Sequence, residues 1–177
     1  ANAANKTMAD NPVKFTFNHA LAKIGYAVKK GVTDDNVTIT LNKITLAGSE
    51  TDPKVGAFHT TGTIDLSKDL TNTENQTALW TDCSGEQSFT WSSGFPNVTS
   101  SSFSAGSDYL FVIPQNFSTG KLYVIVDYTI SYKDGVTAEM KSTVSSQIVK
   151  NFEQGKAYTI NLTIGLTKID YDVTDVN

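Results

Sequence analysis

Cysteine is almost missing from this chain: Cys83 stands alone among 177 residues, so no disulfide can form within it. Arginine is missing altogether. The 14 basic residues are all lysines, set against 18 acidic ones for a net charge of -4. They are scattered, with no basic stripe that could follow a phosphate backbone, which argues against nucleic acid as a partner. No stretch approaches the roughly 18 consecutive apolar residues of a membrane-crossing helix, and no signal-like apolar run or lipidation cysteine lies near Ala1. Histidine is reduced to His19 and His59, with no H-x-x-x-H or H-E-x-x-H spacing, which makes a poor case for zinc. Helical periodicity is also scarce. Only "HALAKI" and "SSQIVKNF" read as helical; the first spans little more than a turn, and the second could equally end the strand before it.

What is abundant is serine and threonine, 40 residues together, and period-two alternation. "LYVIVDYTISY" sets Leu122, Val124, Val126, Tyr128, Ile130 and Tyr132 on one face, opposite Asp127, Thr129 and Ser131. "YTINLTIGL" does the same with Tyr158, Ile160, Leu162, Ile164 and Leu166. Lys133-Asp134-Gly135 reads as a turn that sends "VTAEMKSTV" back as a hairpin, with Val136, Ala138, Met140 and Val144 facing inward. Further strands are expected at "VKFTF", "IGYAV", "VTITLNKITL", "TIDL" and "YLFVI". The sum is an all-β, antiparallel β-sandwich of about 8–9 strands. It carries a long Ser/Thr/Gly-rich insertion from Ser67 to Asp108, expected to contain one or two short strands such as "SFTW". Residues 1–12 are expected to be a flexible lead into a single domain spanning 13–177.

Chemistry-bearing residues do not converge in the sequence. His19, in "FTFNHALAKIGYAV", reads as a packed corner residue bonded to backbone, and His59 as a solvated side chain. Asp34, Asp35 and Asn36, and separately Asp170, Asp172 and Asp175, lack the ligand spacing of a calcium loop. The serines of "TWSSGF" and "NVTSSSF" have no G-x-S-x-G elbow and no base. Asp82 and Glu86, beside Trp80 and Trp91, come nearest to a glycosidase pair. Those tryptophans, with Phe95 and Phe103, could instead offer a sugar-stacking platform, or anchor the insertion to the core. Sequons at Asn5, Asn36, Asn75, Asn97, Asn116 and Asn161 do not establish glycosylation in so threonine-rich a chain. No catalytic, cofactor or metal residue is assigned, and no enzyme activity is expected.

The ordered set "VKFTFNHALAKIGYAV", "VTITLNKITLAG", "YLFVIPQ", "LYVIVDYTISY" and "FEQGKAYTINLTIGLTKIDYDV" resembles the C-terminal domain of the fimbrillin-like proteins, the Mfa-like and FimA-like pilins of the Bacteroidales. Two features depart from that family's usual pattern: a separate N-terminal β domain is not present in this chain, and the tail runs "VTDVN" where a tryptophan commonly closes it. The resemblance implies a lipoprotein-derived pilin or accessory subunit at the outer membrane or in a fimbrium. Its partners would be other fimbrial subunits, or host or bacterial surface ligands, and it would polymerise by donor-strand exchange. In that light the tail "TKIDYDVTDVN", with Ile169, Tyr171 and Val173 alternating against polar residues, is the candidate donor strand. With no turn residue but Gly165 before it, the tail is expected to cross to the other sheet or leave the domain. The competing reading is a surface glycan-binding or adhesive module that does not polymerise.

Overall fold

The computed structural model describes residues 19–65, 79–99, 102–134 and 140–176. The expected lead at 1–12, the strand "VKFTF", and the inward positions Val136 and Ala138 lie outside them. The described residues form thirteen strands and no helix. In chain order these are β1 (Ala22–Lys30), β2 (Val37–Ala47), β3 (Phe58–Ile64), β4 (Trp80–Gln87), β5 (Phe89–Trp91), β6 (Ser104–Ala105) and β7 (Leu110–Val112). They continue as β8 (Gln115–Asn116), β9 (Leu122–Tyr132), β10 (Met140–Ile148), β11 (Asn151–Phe152), β12 (Ala157–Ile164) and β13 (Ile169–Val176). The count exceeds the 8–9 expected because β6, β8 and β11 are two-residue pieces with no sequence pattern of their own, and because β4 forms in the long insertion from a stretch without apolar alternation.

Two sheets enclose the core. One runs β13-β12-β1, with the short β6 and β7 sharing the far edge of β1; the other runs β10-β9-β2-β5. Every pairing is antiparallel except β1 with β12, which is parallel, with Lys23 opposite Ala157 and Lys30 opposite Ile164. Two ribbons, β3–β4 and β8–β11, lie outside the sheets. Phe58, Phe89, Phe117, Phe152 and Tyr158 tie them in through tilted and edge-on ring contacts at 5.0 to 6.3 Å.

Alternation explains the sheets. Leu122, Val124, Val126, Tyr128 and Ile130 of β9 are all fully buried, as are or nearly are Tyr158, Ile160, Leu162 and Ile164 of β12. Each such side chain contributes about 1.5–3 kcal/mol of hydrophobic stabilisation. β2 changes phase partway: Val37, Ile39 and Leu41 face in, then Ile44 and Leu46. A register shift between Leu41 and Lys43 absorbs Asn42 as a bulge, so the apolar face is kept and Lys43 pairs with Asp127 at 2.9 Å instead of entering the core.

Three expectations are corrected. "HALAKI" is not helical: β1 starts at Ala22 and runs extended beside β12, since pairing in a sheet overrides the weak helix propensity of a six-residue run. Met140, expected inside, is 48% exposed because it opens an edge strand beyond the core. The tail does not cross or leave. It turns straight back along β12 through residues 165–168, where the Gly165 amide donates to the Lys168 carbonyl at 2.9 Å.

Candidate functional site

β13 is the element on which the assembly reading turns. All eight of its residues pair with β12, from Ile164 opposite Ile169 to Ala157 opposite Val176. On its other side no strand among the described residues is paired with it. Ile169 is buried at 7% exposure, and Tyr171 and Val173 are half-buried against the core, so the three candidate donor residues share the inward face. The strand is pinned by few polar contacts. Tyr128, reaching from the opposite sheet, donates its hydroxyl to the Gly165 carbonyl at 3.0 Å; the Val149 amide donates to the Tyr171 hydroxyl at 3.3 Å; Lys150 pairs with Asp175 at 2.8 Å. Beneath β13, the edge of β12 would present Tyr158, Ile160, Leu162 and Ile164 alternating with Thr159, Asn161 and Thr163.

Other singled-out residues fall elsewhere. His19 is exposed, not packed into a corner, because the backbone at Ala20 and Leu21 already leads into β1 and leaves the ring outside. Its neighbour Ala20 is held instead by Trp80, whose indole N–H donates to the Ala20 carbonyl at 2.8 Å. His59 is half-buried in β3, its ring Nδ1 3.3 Å from the Gly85 carbonyl. Trp91 is 5% exposed between β2 and Tyr26, the ring centroids 4.9 Å apart, so it has no free face for a sugar; its indole N–H has no protein acceptor. Trp80 opens β4 and is half-buried, so the two tryptophans form no common platform.

Carboxylates are likewise dispersed. Asp82 and Glu86 are both exposed on β4, Asp82 at φ 52° where the β3–β4 register shifts. Asp34 accepts from the Asn36 amide at 2.9 Å within its own turn, and Lys30, 8% exposed, donates to the Asp34 and Val37 carbonyls at 2.8 Å each to tie that turn to β1. Asp170 and Asp172 share the outward parity of β13, whereas Asp175 has the opposite parity and pairs with Lys150. Among the described residues no three potential ligands gather into a metal site. Two tyrosines have raised pKa values. Burial, then the nearby Asp108 carboxylate, raises Tyr26; burial raises Tyr158, whose hydroxyl accepts from the Glu153 amide at 2.8 Å.

The described residues thus define a β-sandwich with two long edge strands, β10 and β13, in which no three potential metal ligands gather. The chain belongs to the fimbrillin-like family, whose profile matches residues 1–175. Similar solved structures include a fimbrial protein of Bacteroides vulgatus, 19% identical, TM-score 0.62, covering 89% of this chain and 55% of that one. Another is a candidate cell adhesion protein of Bacteroides eggerthii, 14% identical, TM-score 0.41, covering 90% of this chain and 56% of that one. The chain therefore spans little more than half the length of either structure. A search of curated proteins found no match.

Proposed function

We propose that this chain is a structural or accessory subunit of extracellular fimbriae, that it is not an enzyme, and that it assembles with other fimbrial subunits by strand exchange through β13. Membership of the fimbrillin-like family supports the setting. The observation that carries the mechanism is that β13 lies at the edge of its sheet and, among the described residues, is held there by β12 alone. A strand of the same pattern from another copy would satisfy the same backbone groups of β12 and fill the same places with its Ile, Tyr and Val side chains. The inward trio supplies about 3–6 kcal/mol before ordering costs, at about 1.5–3 kcal/mol for buried Ile169 and about half that for each of the half-buried Tyr171 and Val173. That is enough to hold an interface and small enough to be exchanged.

The test removes residues 169–177 from the full chain and adds back a synthetic peptide of residues 168–177. The truncated protein should melt markedly lower, recover on addition of the peptide, and fail to form filaments under electron microscopy where the intact precursor does. Filaments of unchanged length from the truncated protein would refute the donor role.

A further inference from the structure

β10 has a free side that strand exchange does not use. In the β2–β9 ladder the Lys133 amide donates to the Asn36 carbonyl at 2.9 Å, while Val37 turns its own groups away from β9: its amide donates to the Asp34 carbonyl at 3.2 Å and its carbonyl accepts from the Lys30 ammonium at 2.8 Å. Alternation from there runs through β9, whose register with β10 has no shift. It aims the backbone groups of Met140, Ser142, Val144, Ser146 and Ile148 at β9, and those of Lys141, Thr143, Ser145 and Gln147 outward. The next amide of the outward series, Val149, does donate away from β9, to the Tyr171 hydroxyl. β13 guards that end of β10 through Tyr171 and Asp175; from Lys141 to Ser145 no strand among the described residues pairs with the outward groups.

Sheet edges are ordinarily guarded by charge, proline or a bulge, because an open row of amides and carbonyls recruits a second chain. β13 is guarded against its own kind: Asp170 and Asp172 share its outward face, and two copies set edge to edge would bring these carboxylates together. The β3–β4 ribbon is guarded by its register shift and by Asp82 and Glu86, and β5, β6 and β7 are too short to offer a ladder. β10 has none of these devices. It contains no proline and no bulge, and its single charge is Lys141. The opposite charge stands close by. The loop after β2 brings Glu50 to β10, where the Ser145 hydroxyl donates to its carboxylate at 3.5 Å. That loop is held in shape by the Gly48 amide on the Val55 carbonyl at 2.8 Å, and by the Ser49 hydroxyl, which accepts from the Thr51 and Asp52 amides. Neither Lys141 nor Glu50 has an ion-pair partner among the described residues.

We infer that β10 pairs antiparallel with β10 of a second copy about a two-fold axis at Thr143, joining the two β10-β9-β2-β5 sheets into one. In this register the outward groups of Thr143 meet those of the partner's Thr143, and the outward groups of Lys141 meet those of the partner's Ser145, so the ladder closes without a shift. Facing Cβ atoms lie about 5.5 Å apart. Each Lys141 ammonium is therefore within reach of the partner's Glu50, which stands against the partner's Ser145, and the two-fold axis makes the ion pair reciprocal. Met140, 48% exposed, falls opposite the partner's Ser146 and is covered. A ladder from Met140 to Ser146 is smaller than a standard protein interface, so the dimer is weak and forms at high concentration. In a fimbrium, on the role proposed above, the contact would repeat from subunit to subunit and hold neighbouring filaments side by side through avidity.

Sedimentation velocity on the full chain, from micromolar to millimolar concentration, should show a monomer passing into a dimer. Lys141→Glu sets like charges face to face and should weaken the dimer roughly tenfold or more; adding Glu50→Lys to it restores the reciprocal pairs and should bring the dimer back. Thr143→Pro removes an amide that the β9 ladder does not use, so this chain should stay folded and monomeric. On a Cys83→Ser background, Thr143→Cys should close a disulfide between copies on mild oxidation, since facing Cα atoms lie about 5.5 Å apart, and Gln147→Cys should not. The melting temperature of the Lys141→Glu chain should stay within a few degrees of the parent. A monomer at every concentration, a dimer indifferent to Lys141→Glu, or a charge-swapped chain that stays monomeric overturns the contact. So does a dimer that ignores the β10 variants and vanishes when residues 169–177 are removed, since it would belong to β13. Filament formation is read separately, so failure of the β10 contact leaves the strand-exchange result standing and the reverse also holds.

Discussion

At the scale of single residues, burial separates the two tryptophans and the two histidines. Trp91 fills core space between β2 and Tyr26, so Trp91→Ala should cost about 3–5 kcal/mol. Trp91→Phe should cost less than about 1.5 kcal/mol, because it keeps most of the volume and removes an indole N–H that has no protein acceptor. Chemical denaturation of the two variants checks the pair. Trp80→Phe should lose about 0.5–1.5 kcal/mol, the net worth of its bond to the Ala20 carbonyl. His19→Ala, at an exposed site, should shift stability by no more than about 0.5 kcal/mol in the same assay. The histidine was misread because its apolar neighbours in sequence belong to a strand whose buried face begins only at Ala22. A ring three residues outside that strand takes its burial from the chain's path, which composition does not reveal.

At the scale of elements, period-two patterns of eight or more residues were legible and short or interrupted ones were not. β9 was read to its end residues because its alternation is unbroken from Leu122 to Tyr132. The hairpin from β12 to β13 was missed because its connection, Gly165-Leu166-Thr167-Lys168, has none of the Asn-Gly or Asp-Gly chemistry that marks tight hairpins. It is closed instead by a backbone bond and by a tyrosine from the opposite sheet, a tertiary contact that no local signal encodes. The candidate donor residues were legible as one face of a strand, but their place beside β12 was not. The bulge in β2 gives a sharper test of pattern. Deleting Asn42 would leave Val37, Ile39, Leu41, Ile44 and Leu46 in strict alternation, so the variant should fold and lose about 1 kcal/mol, mainly its bond to Thr129. Deleting Thr45 would turn Leu46 outward and Ala47 inward, and that variant should melt far lower.

At the scale of the molecule, the two raised tyrosines set an alkaline limit. Tyr26 and Tyr158 have folded-state pKa values above the ordinary 10.0, through burial first in both. Between the ordinary value and the raised one the native state keeps protons that the unfolded chain has released. The stabilisation from their neutral hydroxyls is therefore complete below about pH 10 and is lost as pH rises through the folded-state values. Melting temperatures measured from pH 8 to 12 should fall beyond pH 10, and a Tyr26→Phe/Tyr158→Phe variant should fall less steeply. An unchanged slope in the variant would place the alkaline limit elsewhere.

The register of the three-stranded core of one sheet also fixes where the described chain begins and ends. β1 starts beside Ala157 and β13 finishes beside the same residue, so His19 and Val176 line one cleft at the same end of the sandwich. Tension applied through these two points would not shear β13 along β12. It would open the pair from Val176 towards Ile169, breaking backbone bonds one after another. Pulled between His19 and Val176, the described sandwich should therefore behave as a zipper, yielding β13 in single-molecule pulling at low force before the rest gives way. A strand received from another copy, with its load directed along the strand axis, would be pulled in shear and resist as a set. The same eight-residue pairing would be weak as a fold and strong as a joint.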